Sequence, residues 1–282
     1  MMAGREGDAA VAAHFSPSAT STRSRESCLA MLRRIDAGLG ELADVFGLDA
    51  FGRACRFMVR EYTTCMLFRQ TESERAELPL HYFDGSSVLA FFVVPRALAE
   101  AKVDTRYFRL GMHWEQKAVV GMGFYDFRDS ELGSYHEVGL AIPVLPRGHA
   151  GPELDITSLV EMFRPSRKRR TGLCVLNLPV TTEPARAAGC DHWGYPKFVT
   201  SIAWQEGRNR FECEVGDPDV PSDRIVSLRG SLGHGLPAPT MNQVLFSRHE
   251  GETLRTEIEI GGRTRIRSGR GLALRVGKSA HA

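Results

Sequence analysis

Gly133-Ser134-Tyr135-His136-Glu137-Val138-Gly139-Leu140-Ala141-Ile142-Pro143-Val144 reads as one strand, ended near Pro143 and Pro146. It is apolar except at Glu137, a carboxylate in a setting that offers little solvation. On local pattern alone such a glutamate faces solvent from the strand's outer side.

Strand signals continue on both sides. Ser87 to Val94 is an apolar run stopped by Pro95, which reads as a buried strand. Ala97 to Lys102 fits a short helix, and Ala118 to Phe127 a strand whose Gly121 and Gly123 point to tight curvature. Residues 146–171 form a long polar excursion with a helical turn over Leu159 to Phe163, and Leu173 to Leu178 resumes the sheet. Thr182 to Ala188 fits a short helix, capped by Thr182 and ended by Gly189. Val199 to Trp204, Arg210 to Val215, Arg224 to Arg229, Met241 to Ser247, Thr253 to Ile260 and Leu272 to Val276 then read as antiparallel strands joined by glycine-containing turns. The expected fold class is mainly β (α+β), a closed or nearly closed barrel with flanking helices.

The N-terminal part follows another rule. Residues 1–26 are rich in Ala, Ser, Thr and Arg and bury too little to order themselves, so a disordered tail is expected. Leu29, Leu32, Ile35, Leu39, Leu42, Val45 and Phe46 form one helical stripe. Asp49 is placed to cap a second helix carrying Phe51, Ala54, Met58, Tyr62, Cys65 and Met66. Residues 27–72 are thus expected to be a helical hairpin, packed either on the body or on another copy of the chain. The β domain is expected over 78–282.

Composition excludes more than it assigns. With 43% hydrophobic and 25% charged residues, the chain of 282 residues has an ordinary globular make-up, enough for one large domain. A formal charge of +2 gives no reason to expect a nucleic-acid partner. No apolar run approaches the ~18–20 residues of a membrane helix. The scattered cysteines contain no C-x-x-C pair and no metal spacing, so reduced thiols, a cytoplasmic location and no metal or other cofactor are expected.

The second focus is Trp193-Gly194-Tyr195-Pro196-Lys197-Phe198. A lysine between Gly-Tyr-Pro and an aromatic is placed oddly for a solvated ammonium. Its bland reading is the end of a turn. Its chemical reading is a Schiff-base amine, which attacks a ketone only when neutral. An ordinary lysine of pKa ~10.4 is neutral in roughly one molecule in a thousand at pH 7, so burial or a nearby cation must assist. Trp193, Tyr195 and Phe198 would supply apolar surroundings.

Taken with Gly189-Cys190-Asp191-His192 before it, this segment and the Tyr135-His136-Glu137 strand resemble the acetoacetate decarboxylase family. There a Tyr-x-Glu and a small-residue/Ala-Ile-Pro-Val strand precede a Gly-(Tyr/Phe)-Pro-Lys segment. The resemblance covers roughly residues 80–276. It implies a β-cone or barrel with Lys197 as the Schiff-base lysine and Glu137 as the pocket glutamate, and a small ketone or keto acid as substrate. Tyr135, Met122, Phe124, Trp193, Tyr195, Phe198 and His192 are the expected pocket residues, His192 as proton relay or as local packing. Family folds of this type assemble, so a homo-oligomer is expected.

The pattern departs from the family at charged positions. Phe198 stands where decarboxylating members carry a second lysine, and Met122 where they carry a second acid. No counterpart of their carboxylate-binding arginine is evident near Tyr82-Phe83-Asp84. A less polar ketone would suit such a pocket, with aldol or dehydration chemistry competing with decarboxylation. A non-catalytic relative binding an apolar molecule is the alternative. Arg167 to Arg170 fits a solvated loop or a phosphate contact.

Overall fold

A computed structural model describes residues 80–148, 161, 164–232, 235–269 and 271–279, together with the backbone of 55–69. The expected tail, the first helix of the hairpin and most of the Leu159–Phe163 turn lie outside these residues.

The central element of the fold is a sheet that curls back on itself. Its strands are β1 (Cys55–Arg69), β2 (Leu80–Pro95), β5 (Lys117–Ser130), β6 (Tyr135–Pro146), β7 (Gly172–Val180), β13 (Gln243–His249) and β14 (Glu252–Ser268), with short β3 (Phe108–Leu110), β4 (His113–Trp114), β8 (Lys197–Val199) and β12 (Leu236–Ala238) at its margins. The pairing order β6-β5-β2-β1-β14-β13-β7 is closed by a direct β6–β7 pairing. The nearly closed barrel expected from the strand pattern is therefore present. Two contacts are parallel, β7 with β13 and β7 with β8. A second sheet, β9 (Ile202–Glu206), β10 (Arg210–Gly216), β11 (Arg224–Ser231) and β15 (Ala273–Val276), runs in the order β15-β11-β10-β9.

Alternation along the strands divides the side chains into two sets. Tyr82, Phe127, Tyr135, Leu178, Val180, Leu245 and Ile258 pack together with Trp193 and Tyr195 inside the barrel. Val88, Ala90, Phe124 and Val138 point the other way and meet Ile202, Phe211, Cys213 and Leu228 of the second sheet. Both faces of β2, β5 and β6 are thus covered, which is why these segments read as near-continuous apolar runs. Gly123 is needed within this packing, since a Cβ there would sit 2.5 Å from the Tyr125 hydroxyl.

The short helix α1 (Arg96–Glu100) follows Pro95 as expected. Helix α2 departs from expectation in length. It runs from Glu183 to Trp193, and Gly194, at φ 60°, is the left-handed residue that ends it. Gly189 lies inside the helix rather than at its end. Thr182 holds the N-cap position without a side-chain cap bond.

The second helix of the expected hairpin is overturned. Cys55–Arg69 is a strand, paired along its length with β2 on one side and β14 on the other. The β domain therefore includes residues from Cys55, not from 78. Val59, Tyr62, Thr63, Thr64 and Phe68 are good strand formers. A register shift between Thr63 and Cys65 breaks strict alternation, so the apolar spacing on either side of it imitates a helical period.

The basic loop is also only partly solvated. A 3-10 turn spans Ser166–Lys168. Arg169 is buried, its guanidinium donating to the carbonyls of Asn242 at 2.5 Å and Arg164 at 2.8 Å. Among the described residues, no helix is long and apolar enough to cross a membrane.

Candidate active site

Lys197 is delivered by the end of α2. After Gly194 turns the chain, the Tyr195 amide donates to the Gly189 carbonyl at 3.1 Å and the Lys197 amide to the Tyr195 carbonyl at 2.7 Å. The Cys190 thiol reaches the carbonyl of Tyr195 at 3.4 Å. Pro196 has no amide proton to satisfy here. Lys197 then opens β8 opposite Leu178 of β7, which sends its side chain into the barrel and that of Phe198 to the opposite face.

Inside the barrel, Lys197 Nζ donates to Glu137 Oε2 at 2.6 Å, and the two side chains are only 7% and 9% exposed. Glu137 lies on β6 across from Tyr125 of β5 and Val180 of β7. Sixty residues of separation are thus bridged by the closure of the barrel. A buried pair of this kind holds together because each charge lacks another solvent. The carboxylate is also placed to take a proton from Nζ and return it.

Tyrosines surround the pair. The Lys197 nitrogen stands 6.0 Å from the centre of the Tyr135 ring. The hydroxyls of Tyr135 and Tyr82 share a hydrogen bond at 2.8 Å. Burial first, and the negative charge of Glu137 besides, push the Tyr82 phenol well above its ordinary range. Burial, then Tyr82 and Glu137, do the same to Tyr135. Burial and then Glu137 raise Tyr195. All three remain neutral hydroxyls at ordinary pH.

Lys197, Glu137, Tyr82 and Tyr195 line a cavity of about 790 Å³, its mouth included, whose walls carry Leu89, Phe91, Phe127, Leu178, Trp193 and Leu245 among others. Trp193 is stacked on Tyr195, with ring centres 5.9 Å apart. Of the residues expected at the site, Lys197, Glu137, Tyr135, Trp193 and Tyr195 converge here. Met122 borders the cavity but packs with the outer layer. Phe124 and Phe198 belong to that outer layer, against the second sheet. The reason is parity: each is one residue out of phase with an inward-facing neighbour. His192 is buried on α2, edge-on to Trp193 at 5.5 Å, and does not line the cavity. Burial holds its imidazole below the usual range, opposed by Asp191.

Three polar lining residues were not anticipated. Tyr82 sits in the stretch searched for an arginine. Tyr125 donates from its hydroxyl to Gln243 Oε1 at 3.2 Å, and Gln243 is 3% exposed at the start of β13. An aromatic or amide in a strand carries no sequence mark of its side, so only the register reveals them. Among the described lining residues, Lys197 is the single cation. Asp84 instead pairs outside the cavity with Arg128 at 2.7 Å. No group of three or more His, Cys, Asp or Glu among the described residues could hold a metal ion.

Three solved structures illustrate the likeness. One is an acetoacetate decarboxylase, at 15% identity over 76% of this chain and 75% of that one, with a TM-score of 0.39. Another is the acetoacetate decarboxylase of Legionella pneumophila subsp. pneumophila str. Philadelphia 1, at 12% identity over 83% and 90%, with a TM-score of 0.38. A third is the enduracididine biosynthesis enzyme MppR complexed with the condensation product of pyruvate and imidazole 4-carboxaldehyde, at 9% identity over 83% and 89%, with a TM-score of 0.35. No curated protein matches in sequence. The family model described as acetoacetate decarboxylase matches residues 66–255, a span that runs from the last residues of β1 through both members of the buried ion pair into β14, and by that match the chain belongs to the acetoacetate decarboxylase family.

Proposed function

We propose that this protein is a Schiff-base enzyme that cleaves a carbon–carbon bond next to a ketone. The observation that carries the reading is the contact of Lys197 Nζ with Glu137 Oε2 at 2.6 Å, at the wall of an apolar cavity.

The sequence of steps needs only these two groups and water. Glu137 takes a proton from the Lys197 ammonium as a carbonyl carbon arrives. The neutral amine adds to that carbon, and the amine's proton passes to the oxygen. Glu137 returns its proton to the resulting hydroxyl, which leaves as water, and a protonated imine remains on Lys197. The imine draws in the electron pair of the neighbouring carbon–carbon bond. In an aldol cleavage, Glu137 removes the proton of the β-hydroxyl as that bond breaks, an aldehyde departs and an enamine stays. Glu137 then protonates the enamine carbon, and water hydrolyses the imine to ketone and lysine. In a decarboxylation the same pair flows into the imine as carbon dioxide departs, and the enamine takes its proton from water. The neutral tyrosines Tyr82 and Tyr135 hold the carboxylate's surroundings without competing for its proton. An amine activated by its surroundings is the device known for acetoacetate decarboxylase itself.

Borohydride reduction in the presence of a small ketone tests this. Mass spectrometry is expected to locate the reduced adduct on Lys197 and to find none in Lys197→Met. Ketone binding without any adduct would leave the chain as a ligand-binding relative and sink the enzymatic reading.

A further inference from the structure

Gln243 is a lining side chain whose hydrogen bonding is incomplete. It is 3% exposed and lies in the same cavity as Lys197 and Glu137. Its Oε1 accepts from the Tyr125 hydroxyl at 3.2 Å, while its Nε2 is buried with no hydrogen-bond partner. A buried donor left unmade is costly, so the fold holds the amide in this state for something else. Its connection to the chemistry is direct. Tyr125, which orients it, is the cross-strand partner of Glu137, and Glu137 holds Lys197.

We propose that Gln243, oriented by Tyr125, binds a second and uncharged oxygen of the substrate, and that the substrate is accordingly a hydroxyketone and not a keto acid. This rests on the Schiff-base reading of Lys197 for the position of the ketone, and adds the substrate class to it. The choice of hydroxyl over carboxylate follows from charge and from hydrogen-bond type. Among the described lining residues Lys197 is the sole cation, and Glu137 already matches it. A substrate carboxylate would add an unneutralised charge to an apolar enclosure, which is strongly disfavoured. A hydroxyl adds none. It also satisfies the amide in either orientation about its terminal bond: it accepts if Nε2 faces it, and donates if Oε1 does. A β-hydroxyl is moreover what Glu137 needs for an aldol cleavage, in which one carboxylate both removes and returns the proton.

Three matched probes test the assignment: methyl propyl ketone, the same ketone with a terminal hydroxyl, and levulinate, the same ketone ending in a carboxylate. Calorimetry on the full chain is expected to show the hydroxyketone binding about tenfold more tightly than either of the others, the upper range for one neutral hydrogen bond. In Gln243→Leu that advantage disappears. The plain ketone, with no oxygen for Gln243, binds wild type and variant alike, which also shows the variant folded. Gln243→Met repeats the test with an unbranched side chain. Equal binding of the hydroxyketone to wild type and Gln243→Leu overturns the subsite. Tighter binding of levulinate than of the hydroxyketone overturns the uncharged substrate class. Borohydride trapping is scored separately: no adduct on Lys197 with any probe overturns the Schiff-base reading, while the calorimetric comparison still decides the role of Gln243.

Discussion

Gly189 of α2 lies directly against the stem of Lys197. A Cβ on that glycine would fall 2.4 Å from both Cδ and Cε of the lysine. The helix backbone therefore lies against the outer half of the lysine side chain and holds it where its nitrogen meets Glu137. In an exposed helix interior, Gly→Ala stabilises by about 1 kcal/mol. Here the sign reverses. Gly189→Ala is expected to lower stability by about 1–3 kcal/mol through overpacking and to slow borohydride trapping on Lys197 at least several-fold. Chemical denaturation and adduct formation measure the two effects. A stabilised variant with unchanged trapping would refute the clamp.

The buried ion pair makes a second, thermodynamic prediction. Lys197→Met or Glu137→Gln alone leaves one buried charge unmatched, at an expected cost of about 3–5 kcal/mol. The double variant removes both charges and is expected to be more stable than the Lys197→Met single variant. A double-mutant cycle in urea checks this. Additive losses would mean the two groups do not act as a pair.

Phe198 answers the question raised by the missing second lysine. Its ring packs with the outer layer, against the second sheet. Phe198→Lys therefore places an ammonium against this outer layer and not in the cavity. A loss of about 1–3 kcal/mol is expected, with the pH dependence of trapping at Lys197 unchanged. A shift of that pH profile would show that the new charge is felt at the site.

A pH-dependent contact lies on the rim of the same strands. His136 Nε2 stands 3.1 Å from Asp126 Oδ1, and its Nδ1 is 3.1 Å from the Ile202 carbonyl. The hydrogen bond to Asp126 raises the imidazole above its ordinary 6.5, against burial. Burial acts to raise the Asp126 carboxyl, but the bonds from His136 and Arg128 outweigh it, so that group is held low. A raised histidine contributes stability that is complete below its unfolded value and is lost as pH rises through the folded one. The Asp126 contribution is present above the unfolded carboxylate value and lost in acid. Thermal unfolding is expected to show stability declining from just below pH 6.5 upward, and His136→Gln to flatten that decline. An unchanged slope in the variant would remove His136 as its source.

The sequence and the structure agree where one residue type has one physical use. Pro95 stops β2, glycines mark the tight parts of β5, and Lys197 behind Gly-Tyr-Pro has no solvent role. They part where parity decides. Met122, Phe124 and Phe198 look as suitable for a pocket as Tyr125 or Trp193, and only cross-strand register sends them outward. Gly189 reads as a helix end because a mid-helix glycine costs stability, and its reason lies in a side chain eight positions later. β1 was hidden by its own bulge. Gln243 had no signal at all, since an amide at the start of a strand is unremarkable until its neighbours are known.

β1 has no residue assigned to the chemistry, yet it is the common neighbour of β2 and β14. Those strands carry Leu89, Phe91 and Ile258 of the cavity wall. A fragment cut to begin at residue 78 would retain every residue named in the reaction and lose the stave between them. β2 and β14 would face each other across a gap of about 10 Å, two strand spacings wide, each with a bare edge. The vessel would then leak before its contents were altered, and such a fragment is a candidate for strand exchange with its own copies, a poor vehicle for measuring activity.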